Sequence, residues 1–107
     1  MGYPGELELL LLLAVMRIED DAYGVTIREE LERETSRTLT LGTVYKTLGR
    51  LEGKGYLQTR MGAPTRARGG RRKKLYELTP AGLEAARRAL ADLRGMTRGL
   101  DPELGLP

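Results

Sequence analysis

The stretch TLGTVYKTLGRLEGKGYLQTRM (40–61) decides the fold. Thr40 suits the start of a helix, because its hydroxyl can accept a hydrogen bond from a free N–H of the first turn. From there Leu41, Val44, Leu48 and Leu51 recur at helical spacing along one face. A second face carries Thr43, Lys46, Thr47 and Arg50 and no acid; Glu52 falls outside it. Gly53 and Gly55 bracket Lys54 and can end the helix in a left-handed cap. Tyr56 to Met61 then alternates as a strand does.

Downstream, residues 62–72 are Gly, Pro, Ala, Thr and Arg, a loop that cannot pack a core, and Lys74 to Leu78 reads as a second strand. Two short strands joined by a long basic loop make a β-hairpin with a protruding tip. Thr79-Pro80 opens the next helix, with Thr as cap and Pro at the first helical position. Leu83, Ala86, Leu90, Leu93, Thr97 and Leu100 follow a heptad-like spacing. Fewer than three heptads cannot make a free coiled coil, so this helix is either a dimer seam resting on other helices or the last helix of a monomer core. Residues 101–107, with two prolines and Gly105, are expected to fray.

Upstream, Pro4 opens a helix over about 5–18, and Leu7 to Ile18 is apolar on nearly every face. A helix exposed on one side does not tolerate that pattern. It is therefore either a central core helix or one with a side against a second copy. In the second case Leu9, Leu10, Leu12 and Leu13 join Leu83, Ala86, Leu90 and Leu93 in the interface. Asp20 or Asp21 can cap a helix over about 22–34 that turns Tyr23, Ile27 and Leu31 inward and acids outward.

The 107 residues include no Cys and no His, and Ser36 is the only serine. This excludes thiol and His-based catalysis and the usual zinc sites. The residues call for no metal and no cofactor, and an enzyme is the remote reading. The longest apolar run, Leu9 to Met16, is far short of the ~20 residues of a membrane span, so a cytoplasmic protein with no membrane partner is expected. The net charge is only +3, but its distribution is uneven. Residues 19–34 hold seven acids against two bases, and residues 60–74 hold seven bases and no acid. That asymmetry points to a local anionic partner.

Three helices, a basic hairpin and a last helix define a mainly α chain with a small β-hairpin, a winged helix-turn-helix followed by a dimerisation helix. Residues 1–78 form the DNA-binding domain, 79–100 the dimerisation helix and 101–107 the tail. In such a plan the third helix enters the DNA major groove.

The residues also carry a resemblance. LGTVYKTLGRLEGKGYL (41–57) resembles the recognition-helix signature of PadR-family transcriptional regulators, GGRRKKLYELTPAGL (69–83) their wing, and AYGVTIREEL (22–31) their second helix. The resemblance implies a compact homodimeric repressor on a palindromic double-stranded DNA operator, with room for a small-molecule effector. It places DNA contacts on Thr40, Gly42, Thr43, Tyr45, Lys46, Arg50 and the wing. Thr47 and the wing bases Arg66, Arg68, Arg71, Arg72, Lys73 and Lys74 join them by position and charge. Tyr45 can equally pack beside Val44 and Leu48 as core. A winged-helix module that binds an acidic protein instead of DNA is the competing function.

Overall fold

The computed structural model describes residues 4–62 and 73–106. Helix α1 spans Glu6–Ile18, a 3₁₀ turn Glu19–Asp21, α2 Gly24–Glu34 and α3 Leu41–Gly53. Strands β1 (Leu57–Met61) and β2 (Lys74–Leu78) follow, then α4 (Pro80–Thr97) and α5 (Asp101–Leu104). The wing residues Arg66, Arg68, Arg71 and Arg72 lie outside the described residues.

α1 is the spine. Leu11 and Leu12 are wholly buried, and Ala14 and Val15 nearly so. They meet Ile27 and Leu31 of α2, Val44, Leu48 and Leu51 of α3, and Leu57 and Tyr76 of the hairpin in one apolar core. The strands pair antiparallel, Leu57 opposite Leu78 and Met61 opposite Lys74. The Tyr76 N–H donates to the Ala22 carbonyl at 2.8 Å, tying β2 to the entry of α2.

That entry departs from expectation. The side chains of Asp20 and Asp21 do not cap α2; Tyr23 is the cap residue, and its N–H donates to Thr26 Oγ1 at 3.0 Å. The acids instead form an exposed 3₁₀ turn. Thr26 thus ties the helix back to the residue that precedes it, and among the described residues no side chain caps the first-turn N–H groups of α2.

The start of α4 is fixed by the end of α3. Thr79 caps α4 by accepting the Gly82 N–H at 3.0 Å, while its hydroxyl donates to the Gly55 carbonyl at 2.6 Å and its N–H to the Tyr56 carbonyl at 3.1 Å. Gly82 then lies flat on Tyr56: a Cβ there would stand 2.2 Å from the Tyr56 carbonyl oxygen.

The heptad-like row of α4 is cut in two. Ala86 and Ala89 pack on Leu9 of α1 within the same chain, with Leu13 beside them. Among the described residues Leu90, Leu93 (54% exposed), Met96 (78% exposed) and Leu100 stay substantially exposed. Pro4, Glu6 and Leu9 from the start of α1 and Ala89, Asp92, Leu93 and Met96 from α4 line a cleft of about 350 Å³. Three of the candidate interface residues, Leu9, Leu12 and Ala86, are therefore buried within the chain. Leu12 is sealed in the core, and Leu9 is spent mostly on the intrachain α1–α4 contact, because one chain covers most of α1 without help. Leu10 and Leu13 remain half-covered beside Arg17 in a smaller groove between α1 and α2. Asp101–Leu104 forms a helical turn rather than fraying, closed by Gly105 at φ 68°, with the Gly105 N–H donating to the Asp101 carbonyl.

The Tyr56–Gly82 contact is testable. Gly82→Ala is expected to destabilise by about 1–3 kcal/mol through overpacking. Gly95→Ala, where nothing lies within 4 Å, is expected to be neutral or slightly stabilising. Thermal denaturation of the two variants checks this, and equal melting temperatures would refute the contact's importance.

Candidate nucleic-acid interface

α3 forms as its sequence dictates. Thr40 Oγ1 accepts the Thr43 N–H at 3.1 Å, and Val44, Leu48 and Leu51 are wholly buried. The C-terminal end closes as the Lys54 N–H donates to the Arg50 carbonyl at 2.9 Å and the Tyr56 N–H to that of Leu51 at 2.9 Å. Gly55, at φ 80°, supplies the left-handed residue the turn requires.

Two ties hold α3 against the rest of the molecule on its α1 and α2 sides. Lys54 Nζ lies 2.8 Å from Glu8 Oε1 of α1, and the Leu39 N–H donates to Glu32 Oε2 of α2 at 2.9 Å. Glu8 also accepts the Gly5 N–H at 2.9 Å, so one carboxylate caps α1 and anchors α3. Burial works to raise its pKa, but Lys54 and the Gly5 N–H outweigh it and hold the carboxyl below the usual 4.5. α1 and α2 are locked to each other by Glu30, which faces both Arg17 and Arg33.

Tyr45 sits at the seam of α3 and α2. Its ring lies against Gly24, where a Cβ would stand 2.4 Å from the ring. Yet the residue is 48% exposed, so it packs on one side and is open on the other. Tyr45 is therefore not a core residue beside Val44 and Leu48; it rests on Gly24 of α2 and keeps an exposed edge.

The outward surface of α3 presents Gly42, Thr43, Lys46, Gly49 and Arg50, with Thr40 at its start. Among the described residues neither Lys46 nor Arg50 forms an ion pair with a carboxylate. Thr47 does not belong to this surface. It is 2% exposed, and its hydroxyl donates back to the Thr43 carbonyl at 2.8 Å. Four residues apart on a helix is only about 40° of rotation, and Thr47 lies that close to the buried Leu51.

The wing base is tethered. Lys73 Nζ stands 4.2 Å above the Tyr23 ring, and Lys74 Nζ lies 3.6 Å from Glu52 Oε1 and 5.6 Å from the centre of the Tyr76 ring. Both lysines are exposed and remain part of a basic surface, but each has a partner within the chain. Burial pushes the Tyr76 phenol above its ordinary value; Glu52 and Tyr45 add to this and Lys74 opposes it. On the outer side of the hairpin Arg60 pairs with Glu77 at 3.0 Å. Glu8, Glu32, Glu52 and Gly24 were not among the sequence-derived candidates. The acids gave no periodic signal, and the small side chain of Gly24 explains itself only once Tyr45 is seen on top of it.

The profile of the "Transcriptional regulator PadR-like family" matches residues 12–88, most of the chain. The chain belongs to this family: it is a PadR-family transcriptional regulator with the winged-helix, DNA-binding fold. Among solved structures it is similar to a PadR family transcription regulator from Clostridium difficile, at 26% identity and a TM-score of 0.67 over 90% of this chain and 97% of that one. A PadR family transcriptional regulator from Eggerthella lenta matches at 24% identity and a TM-score of 0.67, over 95% of this chain and 88% of that one. Bacillus subtilis PadR in complex with operator DNA shares the fold at 19% identity and a TM-score of 0.67, covering 80% of this chain and 47% of that one. No curated protein matches the chain. Among the described residues no helix is long and apolar enough to cross a membrane.

The Glu8–Lys54 tie predicts a pH dependence. Because the folded pKa of Glu8 is depressed, its contribution is present above the unfolded value and is lost as pH falls through the folded one. Glu8→Gln is expected to lower the melting temperature at pH 7, with the deficit shrinking below about pH 4. Melting curves across pH 3–7 check this; a deficit that does not change with pH would disprove the charge argument.

Proposed function

We propose that the chain is a dimeric transcriptional repressor, acting in the cytoplasm, that binds an inverted-repeat operator with α3 in the major groove and the wing along the adjacent backbone. The observation that carries this reading is the outward face of α3. Among the described residues Lys46 and Arg50 stand exposed with no carboxylate paired to either, Thr43 is exposed beside them, and Gly42 and Gly49 leave the helix backbone open to close approach. Arg and Lys in that setting suit guanine edges and phosphates, and hydroxyls suit either. Thr40 and the open edge of Tyr45 border the same surface. The wing bases Arg66, Arg68, Arg71 and Arg72 are assigned to the DNA backbone by charge and by position in the chain.

A second copy accounts for the uncovered half of α4. Leu90, Leu93, Met96 and Leu100 make an apolar stripe that a lone chain would leave in water. Leu10 and Leu13 offer further apolar surface for the same association. Two-fold symmetry of the pair then requires inverted half-sites about one helical turn apart.

Selection of duplexes from a random-sequence pool tests the reading, and inverted repeats are expected. Lys46→Ala and Arg50→Ala are expected to weaken binding to the selected duplex with little change in melting temperature. Leu48→Ala, by contrast, is expected to cost about 2–5 kcal/mol of stability. If the wings of a dimer together neutralise about 4–6 phosphates, they contribute roughly −4 to −5 to the slope of log affinity against log salt. Replacing Arg71 and Arg72 by Ala should flatten that slope and weaken all sequences about equally. Failure to enrich any duplex would favour the protein-binding alternative.

Sedimentation tests the dimer. The unmodified chain is expected to run as a dimer at micromolar concentration and Leu93→Asp as a folded monomer, since a buried carboxylate is not tolerated at an apolar interface. A monomeric mass for the unmodified chain would overturn this part of the reading.

A further inference from the structure

Between Glu34 and Glu77 the chain contains a single acid, Glu52, among eleven bases. A carboxylate so close to a surface meant for phosphate opposes binding by simple charge, so its presence there calls for a physical reason. Its geometry supplies one. Glu52 lies in the last turn of α3, seven residues beyond Tyr45 and so on the same flank of the helix. Its two oxygens reach different strands. Oε2 accepts the Thr59 hydroxyl of β1 at 3.3 Å, and Oε1 faces Lys74 Nζ of β2 at 3.6 Å. Thr59 is paired opposite Tyr76 in the hairpin, and Lys74 lies two residues before Tyr76, so all three residues share one face of the hairpin.

We propose that Glu52 is a positioning residue that sets the wing's orientation relative to the recognition helix by bridging both strands. Lys74 is the counterpart of that bridge and not a phosphate contact. The carboxylate repels DNA weakly and improves binding by holding the wing in the register that α3 requires. This rests on the DNA-binding reading above.

The two roles predict opposite signs. If Glu52 were only a solvated charge, Glu52→Gln would tighten binding to the selected duplex and steepen its salt dependence, since one repulsion is gone. As a bridge, Glu52→Gln weakens binding by about two- to fivefold per subunit, the range expected for a part-exposed ion pair. The salt slope becomes shallower, because a loosened wing makes fewer phosphate contacts. Lys74→Met produces a similar loss, and the double variant is no worse than Glu52→Gln alone. Melting temperatures are read alongside, and amide exchange over 57–61 and 74–78 is expected to quicken in Glu52→Gln without DNA. Tighter or unchanged binding in Glu52→Gln, additive losses in the double variant, or unaltered exchange would each overturn the proposal. If the unmodified chain binds no duplex at all, the DNA reading fails, and the exchange measurement still decides whether Glu52 holds the wing.

Discussion

The burial of α1 is the constraint on which the rest depends. A helix with Leu on successive faces has no orientation in which water touches only polar groups, so the chain must wrap it. α2, α3, the hairpin and α4 each place apolar residues against it, and every other contact is secondary to that enclosure. Enclosing a leucine contributes about 1.5–3 kcal/mol, far more than any surface ion pair here. The polar ties then choose among the ways the outer elements could lie on the spine. Glu30 sets α2 on α1, and Glu8 sets the end of α3 on the start of α1.

Within that arrangement α3 has three kinds of side. One is sunk in the core, and one is held by its own Tyr45 and Glu52 against Gly24, Thr59 and Lys74 of its neighbours. The third, bearing Thr43, Lys46 and Arg50, forms no ion pair with a carboxylate among the described residues. A recognition surface needs this division, because side chains that read an external partner cannot also be committed to internal ones. At the base of the wing two cations bind inward, Lys73 to Tyr23 and Lys74 to Glu52.

Much of this was legible in the sequence, for local reasons. The 3-4-3 row of α3, the Thr40 and Thr79 caps and the Gly55 turn depend only on neighbours in the chain, and all appear in the fold. What could not be read depended on contacts between distant segments. Thr47 fits a polar stripe by spacing, but its burial follows from how far the core wraps around α3. Leu12 and Leu13 are adjacent and chemically identical, and only the packing of α2, α3 and α4 decides that one is sealed and the other half-covered. Glu52 stood outside the polar face in the sequence, and only the returning strand reveals what it faces.

The seat of α4 has a mechanical meaning. Gly55 and Tyr56, the residues that finish α3, are the same residues on which Thr79 and Gly82 rest. The bare Cα of Gly82 lets the helix lie at contact distance from that peptide, so the angle at which α4 departs is set there. α4 is 18 residues long, a stiff lever of about 27 Å. A tilt of about 10° at its pivot displaces the far end by about 5 Å, more than the 3.4 Å or so between successive base pairs. In the two-fold pair proposed above, joined along the far half of α4, the separation of the two α3 helices would be geared to this joint.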